Sequence, residues 1–241
     1  MHTPFKLFSA ALLATGLLLS SGLASASAAP AGSGGATPKI IGGSQADDQG
    51  IVQLVFTDDA GSHACTGTAL SDTWVLTAKH CVETAASMNI YYSNDTKNRG
   101  KAVAADSFYQ SPKGDVGLVK LAVAHPLSEY HGFSSSYLAT VGDQGTIYGY
   151  GRREGYVKAD HLYQAEVKVS GSGKDQRGGT SIKLKAVTGI SWSGDSGGPL
   201  FIDGTIVGTS SGGPSDRDIN SEVWYAQLSG HSSLIKQTTG L

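Results

Sequence analysis

An all-β fold of antiparallel sheet is what this chain predicts, on three observations. Glycine is abundant, 33 of 241 residues, and helical periodicity is scarce until the C-terminal end. Short runs of β-branched and aromatic residues recur between clusters of Gly, Asp, Asn and Ser, as in a string of short strands joined by turns. Several runs alternate apolar and polar residues, among them Ser181-Ile182-Lys183-Leu184-Lys185 and Glu166-Val167-Lys168-Val169. Period two with one wet face marks antiparallel sheet.

The first 39 residues stand apart from that pattern. Lys6 supplies a basic start, residues 10–19 an apolar run, and residues 24–29 a zone of small residues suited to cleavage. The apolar run is about half the roughly 20 residues a bilayer span needs. Residues 1–29 are therefore expected to be a secretory signal peptide. Residues 30–39 are rich in Gly, Ala and Ser, with too little apolar surface to fold, and read as a short pro-segment.

About 200 residues remain, enough for one large β domain or two small ones closing on each other. Six strands are expected in the first half, near 52–56, 65–70, 73–77, 89–92, 102–105 and 116–121. Six more are expected near 146–150, 163–169, 181–185, 199–202, 205–210 and 223–228. The loop-rich stretch 134–145 is the expected join, and residues 230–236 a short C-terminal helix. The net charge is −2, and loss of the two lysines of residues 1–39 takes it to −4. Such mild acidity gives no reason to expect a nucleic-acid partner or a membrane surface.

The two cysteines, Cys65 and Cys81, are expected to pair in an exported protein, bracing the strand between them. Two cysteines without a nearby histidine pair fit no structural zinc site, and no metal or other cofactor is expected. Asn94-Asp95-Thr96 is a glycosylation sequon by pattern, read here as a surface turn.

The chemistry is carried by Gly194-Asp195-Ser196-Gly197-Gly198-Pro199. Small, turn-forming residues around a serine suit an exposed nucleophile on a tight loop, because glycine tolerates positive φ and close approach of a substrate. A serine hydroxyl is a poor nucleophile at neutral pH and needs a base, which in turn needs an orienting acid. His80 in Leu76-Thr77-Ala78-Lys79-His80-Cys81 and Asp115 in Asp115-Val116-Gly117-Leu118-Val119 supply both. The remaining histidines, including His63, His125, His131 and His161, lack such a context and read as structural or surface groups.

These three contexts, in the order His, Asp, Ser, resemble the chymotrypsin-like (trypsin-like) serine proteases, of the bacterial secreted type. The resemblance runs from Ile40 to the C-terminus. Lys79 departs from it, standing where the family usually has alanine. It implies two packed six-stranded antiparallel β-barrels with a short C-terminal helix, the first over about 40–138 and the second over about 139–241. It also implies a secreted serine endopeptidase with His80, Asp115 and Ser196 as catalytic triad and the N–H groups of Gly194 and Ser196 as oxyanion hole. Activation would follow cleavage after Lys39 by another protease, which frees an Ile40 ammonium to neutralise buried Asp195. Ile190 would floor the specificity pocket, Ser211 and Gly213 would bind substrate backbone, and Glu222 would stand in or beside the pocket. An acid at Glu222 would favour Lys or Arg, whereas Ile190 alone would favour apolar side chains. The partners implied are protein or peptide substrates, met by a monomer. Two competing readings are a catalytically silent protease-fold binding protein and an esterase with weak proteolysis.

Overall fold

The computed structural model describes residues 40–241, so the leader and pro-segment expected at 1–39 lie outside the described residues. Thirteen strands and one α-helix are present there. All twelve expected strands form, and they build two closed antiparallel barrels.

The first barrel closes in the order β2-β3-β4-β7-β6-β5. Its strands are β2 (Ile51–Asp58), β3 (Gly61–Ala69), β4 (Trp74–Thr77), β5 (Ser87–Tyr91), β6 (Val103–Gln110) and β7 (Gly117–Leu121). In the second, β8 (Gln144–Gly149), β9 (Tyr163–Lys174), β10 (Thr180–Ala186), β13 (Val223–Gln227), β12 (Thr205–Gly212) and β11 (Pro199–Ile202) form the ring. Alternation works as expected in β10, where Ile182 and Leu184 are fully buried between more exposed lysines.

The two-residue strand β1 (Ser44–Gln45) pairs with β9 and so belongs with the second barrel, not with the first as the sequence boundary near residue 40 suggested. The physical reason is burial. Ile40 and Ile41 insert among Ile147, Ala165, Ile190 and Tyr225 in the second barrel's core. Apolar insertion of two isoleucines contributes about 3–6 kcal/mol and outweighs sequence proximity to β2.

A third apolar cluster lies between the barrels. Leu70, Trp74, Leu76, Val116 and Leu118 of the first meet Ile206, Ala226 and Leu228 of the second. Ile235, the one buried residue of α1 (Ser232–Thr239), completes it. The connecting segment crosses early: Phe133 bridges to Ile206 of β12. Behind the Gly194–Pro199 loop, β11 and β12 are joined by Asp203 and Gly204, both at positive φ (50° and 72°). That is the backbone a type I′ hairpin demands, and Asp-Gly supplies it. The Gly194–Pro199 loop thus feeds directly into a stiff hairpin.

Candidate active site

His80 sits in a single 3-10 turn, Lys79–Cys81, at the end of β4. Cys81 is bridged to Cys65 of β3, tying that turn to the barrel wall. Both sulfurs are consumed by the bond, so although they lie near the His80 ring they cannot serve as metal ligands. Lys79, the residue that departs from the family pattern, turns aside to donate to the Ser111 carbonyl at 3.0 Å.

Asp115 precedes β7 and is fully buried. Its Oδ2 lies 2.8 Å from His80 Nδ1, and its Oδ1 accepts the His80 backbone N–H at 2.9 Å. The Ser211 hydroxyl donates to Oδ2 at 2.6 Å. Burial by itself would raise this carboxyl. The hydrogen bond and charge of His80, with the Ser211 hydroxyl and the His80 N–H, outweigh it and hold Asp115 below its ordinary value. A carboxylate at Nδ1 fixes the proton there and leaves Nε2 as the acceptor.

The serine loop is clamped to the first barrel. The Thr66 N–H donates to the Ser196 carbonyl at 2.8 Å, and the Thr66 hydroxyl to the Gly194 carbonyl at 2.9 Å. On the other side Gly197 N–H and Ser210 N–H donate to the carbonyls of Ser210 and Gly198, each at 2.8 Å. Gly197 has φ +79°, and a Cβ there would stand 2.0 Å from Thr77 Oγ1, so only glycine fits. Among the described residues neither Gly194 N–H nor Ser196 N–H donates to a protein acceptor.

Asp195 is fully buried, its Oδ1 accepting from Gly151 N–H and its Oδ2 from Trp192 N–H, each at 2.7 Å. Burial pushes its carboxyl up to about 6 against those two donors and the field of Arg217. Gly149 and Gly151 make the space: a Cβ on either would strike its carboxylate.

Of the residues expected around the substrate, Ser211 and Gly213 lie at and just beyond the end of β12. The Ser211 carbonyl accepts the Gln176 side-chain amide. Ile190 is fully buried, its N–H donating to the Ile41 carbonyl at 2.9 Å. Glu222 is not brought to the same place. It stands 3.9 Å from Lys183 Nζ of the neighbouring strand. Strand alternation puts it with Trp224, on the face opposite buried Val223 and Tyr225.

Two residues escaped the sequence reading. Asp175, buried in the β9–β10 turn, accepts from Arg177 N–H and Gly179 N–H and also from Asp115 N–H at 3.0 Å. Arg217 lies beside Ser191 and Gly213. An aspartate heading a Gly-rich turn was a signal for the first; nothing local marked the second. Asn94 of the sequon is a structural group, holding Asp48 N–H and donating to the Asp48 carbonyl and the Tyr150 hydroxyl.

The trypsin family's sequence profile matches residues 40–234. The chain belongs to the trypsin family. It is 28% identical over 232 residues to a trypsin of Phaedon cochleariae, covering 83% of this chain and 88% of the relative. A trypsin of Simulium vittatum is 27% identical over 219 residues, covering 74% and 86%. An uncharacterized peptidase of Corynebacterium glutamicum (strain R) is 26% identical over 216 residues, covering 85% and 73%. As a trypsin-family member the chain is a serine peptidase, and its substrates are proteins or peptides.

Proposed function

We propose that this peptidase is an exported endopeptidase, made as a zymogen, that works through an acyl-enzyme on Ser196. The observation that carries this reading is the arrangement around Asp115, which engages both His80 Nδ1 and His80 N–H beside the clamped serine loop. His80 Nε2 takes the Ser196 proton as the hydroxyl oxygen attacks the scissile carbonyl. The same proton passes to the departing amine, leaving an acyl ester on Ser196. Water, deprotonated by His80, then attacks the ester and restores the hydroxyl. The N–H groups of Gly194 and Ser196 stabilise the oxyanion, a term worth about a hundred- to a thousandfold in rate per donor.

Activation follows cleavage after Lys39. In the uncut chain Ile40 carries an amide, and Asp195 is a buried carboxyl with two N–H donors and, among the described residues, no cation in contact. Cutting creates an ammonium on a residue whose side chain is already seated in the second barrel's core. A buried carboxylate gains strongly from such a partner, and its movement resets the Gly194 N–H beside it. The signal-like leader supports export.

Ser196→Ala tests the assignment. It is expected to abolish labelling by a sulfonyl fluoride and to remove nearly all peptide turnover, with wild-type peptidase rates in that variant refuting it. N-terminal sequencing of the active form is expected to read Ile-Ile-Gly-Gly. A fully active chain that retains Pro38 and Lys39 would exclude the zymogen reading.

A further inference from the structure

The loop after β12 turns one large side chain inward. Ser215, Asp216, Asp218, Ile219 and Asn220 are exposed, whereas Arg217 is half-buried. Its Nε donates to the Pro214 carbonyl at 2.8 Å and its Nη1 to the Ser191 carbonyl at 3.0 Å. A Cβ on Gly213 would lie 3.0 Å from Arg217 Cζ and 2.9 Å from Val223 Cγ1, so a residue without a side chain leaves the space the guanidinium fills.

That position is close to the chemistry. Ser191 belongs to the segment that leads into Ser196. Gly213 is two residues beyond Ser211, whose hydroxyl holds Asp115. Two residues of extended chain span about 7 Å, the reach of one long side chain.

The guanidinium charge is felt by buried Asp195 but is not paired in contact by any described residue. No ion pair among the described residues includes Arg217. Its neighbour Asp218 is taken up by Asn220 N–H and Ser221. Burial disfavours the guanidinium's charge, and the opposing fields are those of Asp195 and Tyr225. Both Asp195 oxygens already hold backbone N–H groups. Val223 and Ile190 add no charge, and Glu222 faces Lys183. Of five guanidinium donors, two are spent on carbonyls, and the rest remain in the planar fork that suits a carboxylate.

We propose that Arg217 is the specificity-determining residue of this peptidase and selects substrates with a carboxylate side chain, Glu or Asp, on the acyl side of the scissile bond. The inference rests on the peptidase reading above. A Lys or Arg substrate would bring a like charge into a half-dry space, and an apolar one would strip water from the guanidinium without replacing its hydrogen bonds. An acidic side chain supplies both the charge and the acceptors.

The test uses the full chain, matured after Lys39 by a lysine-specific protease that is then removed. Labelling with a sulfonyl fluoride counts competent Ser196. Matched peptide amides carrying Glu, Asp, Gln, Leu, Phe or Lys at the cleaved position are then compared by kcat/KM. Glu or Asp is expected to exceed Gln, Leu and Lys by about a hundredfold or more, the scale of a desolvated charge pair. Arg217→Gln is expected to collapse the Glu-over-Gln ratio to within about tenfold, and Arg217→Glu to turn the preference toward Lys. Should either variant misfold, the wild-type ratio of Glu to its neutral isostere Gln decides alone. A preparation whose Ser196 proves competent by labelling of a separate sample, but which prefers Lys, Phe or Leu, overturns the role of Arg217 and leaves the peptidase reading standing. Failure to label Ser196 brings down both.

Discussion

Asp195 gives the uncut chain a pH dependence that cleavage should erase. Its carboxyl is fully buried between Gly151 N–H and Trp192 N–H, and burial lifts it from an ordinary 3.8 to about 6. Between those two values the folded chain holds a proton that the unfolded chain has lost. Folding is therefore favoured at the acid end, and this stabilising difference disappears as pH rises through about 6. The gap corresponds to about 3 kcal/mol, a large share of the roughly 5–15 kcal/mol that holds a typical domain together. An Ile40 ammonium against the carboxylate would pull Asp195 back down and remove the loss. Urea unfolding followed by tryptophan fluorescence between pH 4.5 and 7 measures the effect, in a Ser196→Ala background that prevents autolysis. The uncut chain is expected to lose stability across that range relative to the cut chain. Asp195→Asn in the uncut chain is expected to flatten the difference. Identical pH profiles for cut and uncut protein, or an unchanged profile in Asp195→Asn, would refute the reasoning.

Asp115→Asn keeps the shape around His80 but offers it the wrong tautomer, and kcat is expected to fall by about 10⁴-fold in a peptide assay. Ser211→Ala removes a hydroxyl donor from Asp115 Oδ2. The carboxyl, now below its ordinary value, should rise in an NMR titration, and urea unfolding should show a loss of about 1.5–3 kcal/mol. Asp175→Ala leaves Asp115 N–H and the β9–β10 turn without their acceptor. It is a positioning change, so kcat is expected to fall with KM little altered, and Asp175→Asn should recover part of the loss. Replacing both Cys65 and Cys81 by alanine opens a loop of 16 residues' separation, with about 3 kcal/mol less stability expected in the same unfolding assay.

Much of this molecule was legible in local pattern. Each of the twelve strand runs carries its own period-two or β-branched signature, and such signals depend on a few neighbouring residues. β6 and β9 run on beyond their expected ends, to Gln110 and Lys174, because pairing partners in β7 and β10 extend them. β1 was invisible, since two residues have no period and only the core of the second barrel gives Ile40 and Ile41 a place to go. The candidate triad could be read because each member sits in a distinctive short context, with the chain order supplying the rest. Asp175 offered only the weak signal of an acid heading a Gly-rich turn, and Arg217 offered none.

The sequence by itself determined the all-β class, twelve of the thirteen strands and the residues able to act as nucleophile, base and orienting acid, because those depend on short-range periodicity and residue chemistry. Only the tertiary structure decided which of two charged side chains is drawn inward. Glu222 and Arg217 are five positions apart in one loop-and-strand segment, and either could have been drawn inward. Strand alternation sends Glu222 outward to Lys183, while the carbonyls of Ser191 and Pro214 hold Arg217 inside. That choice depends on the strand's register against β10 and β12 and on a backbone path set by residues far away in the chain, which no local pattern encodes.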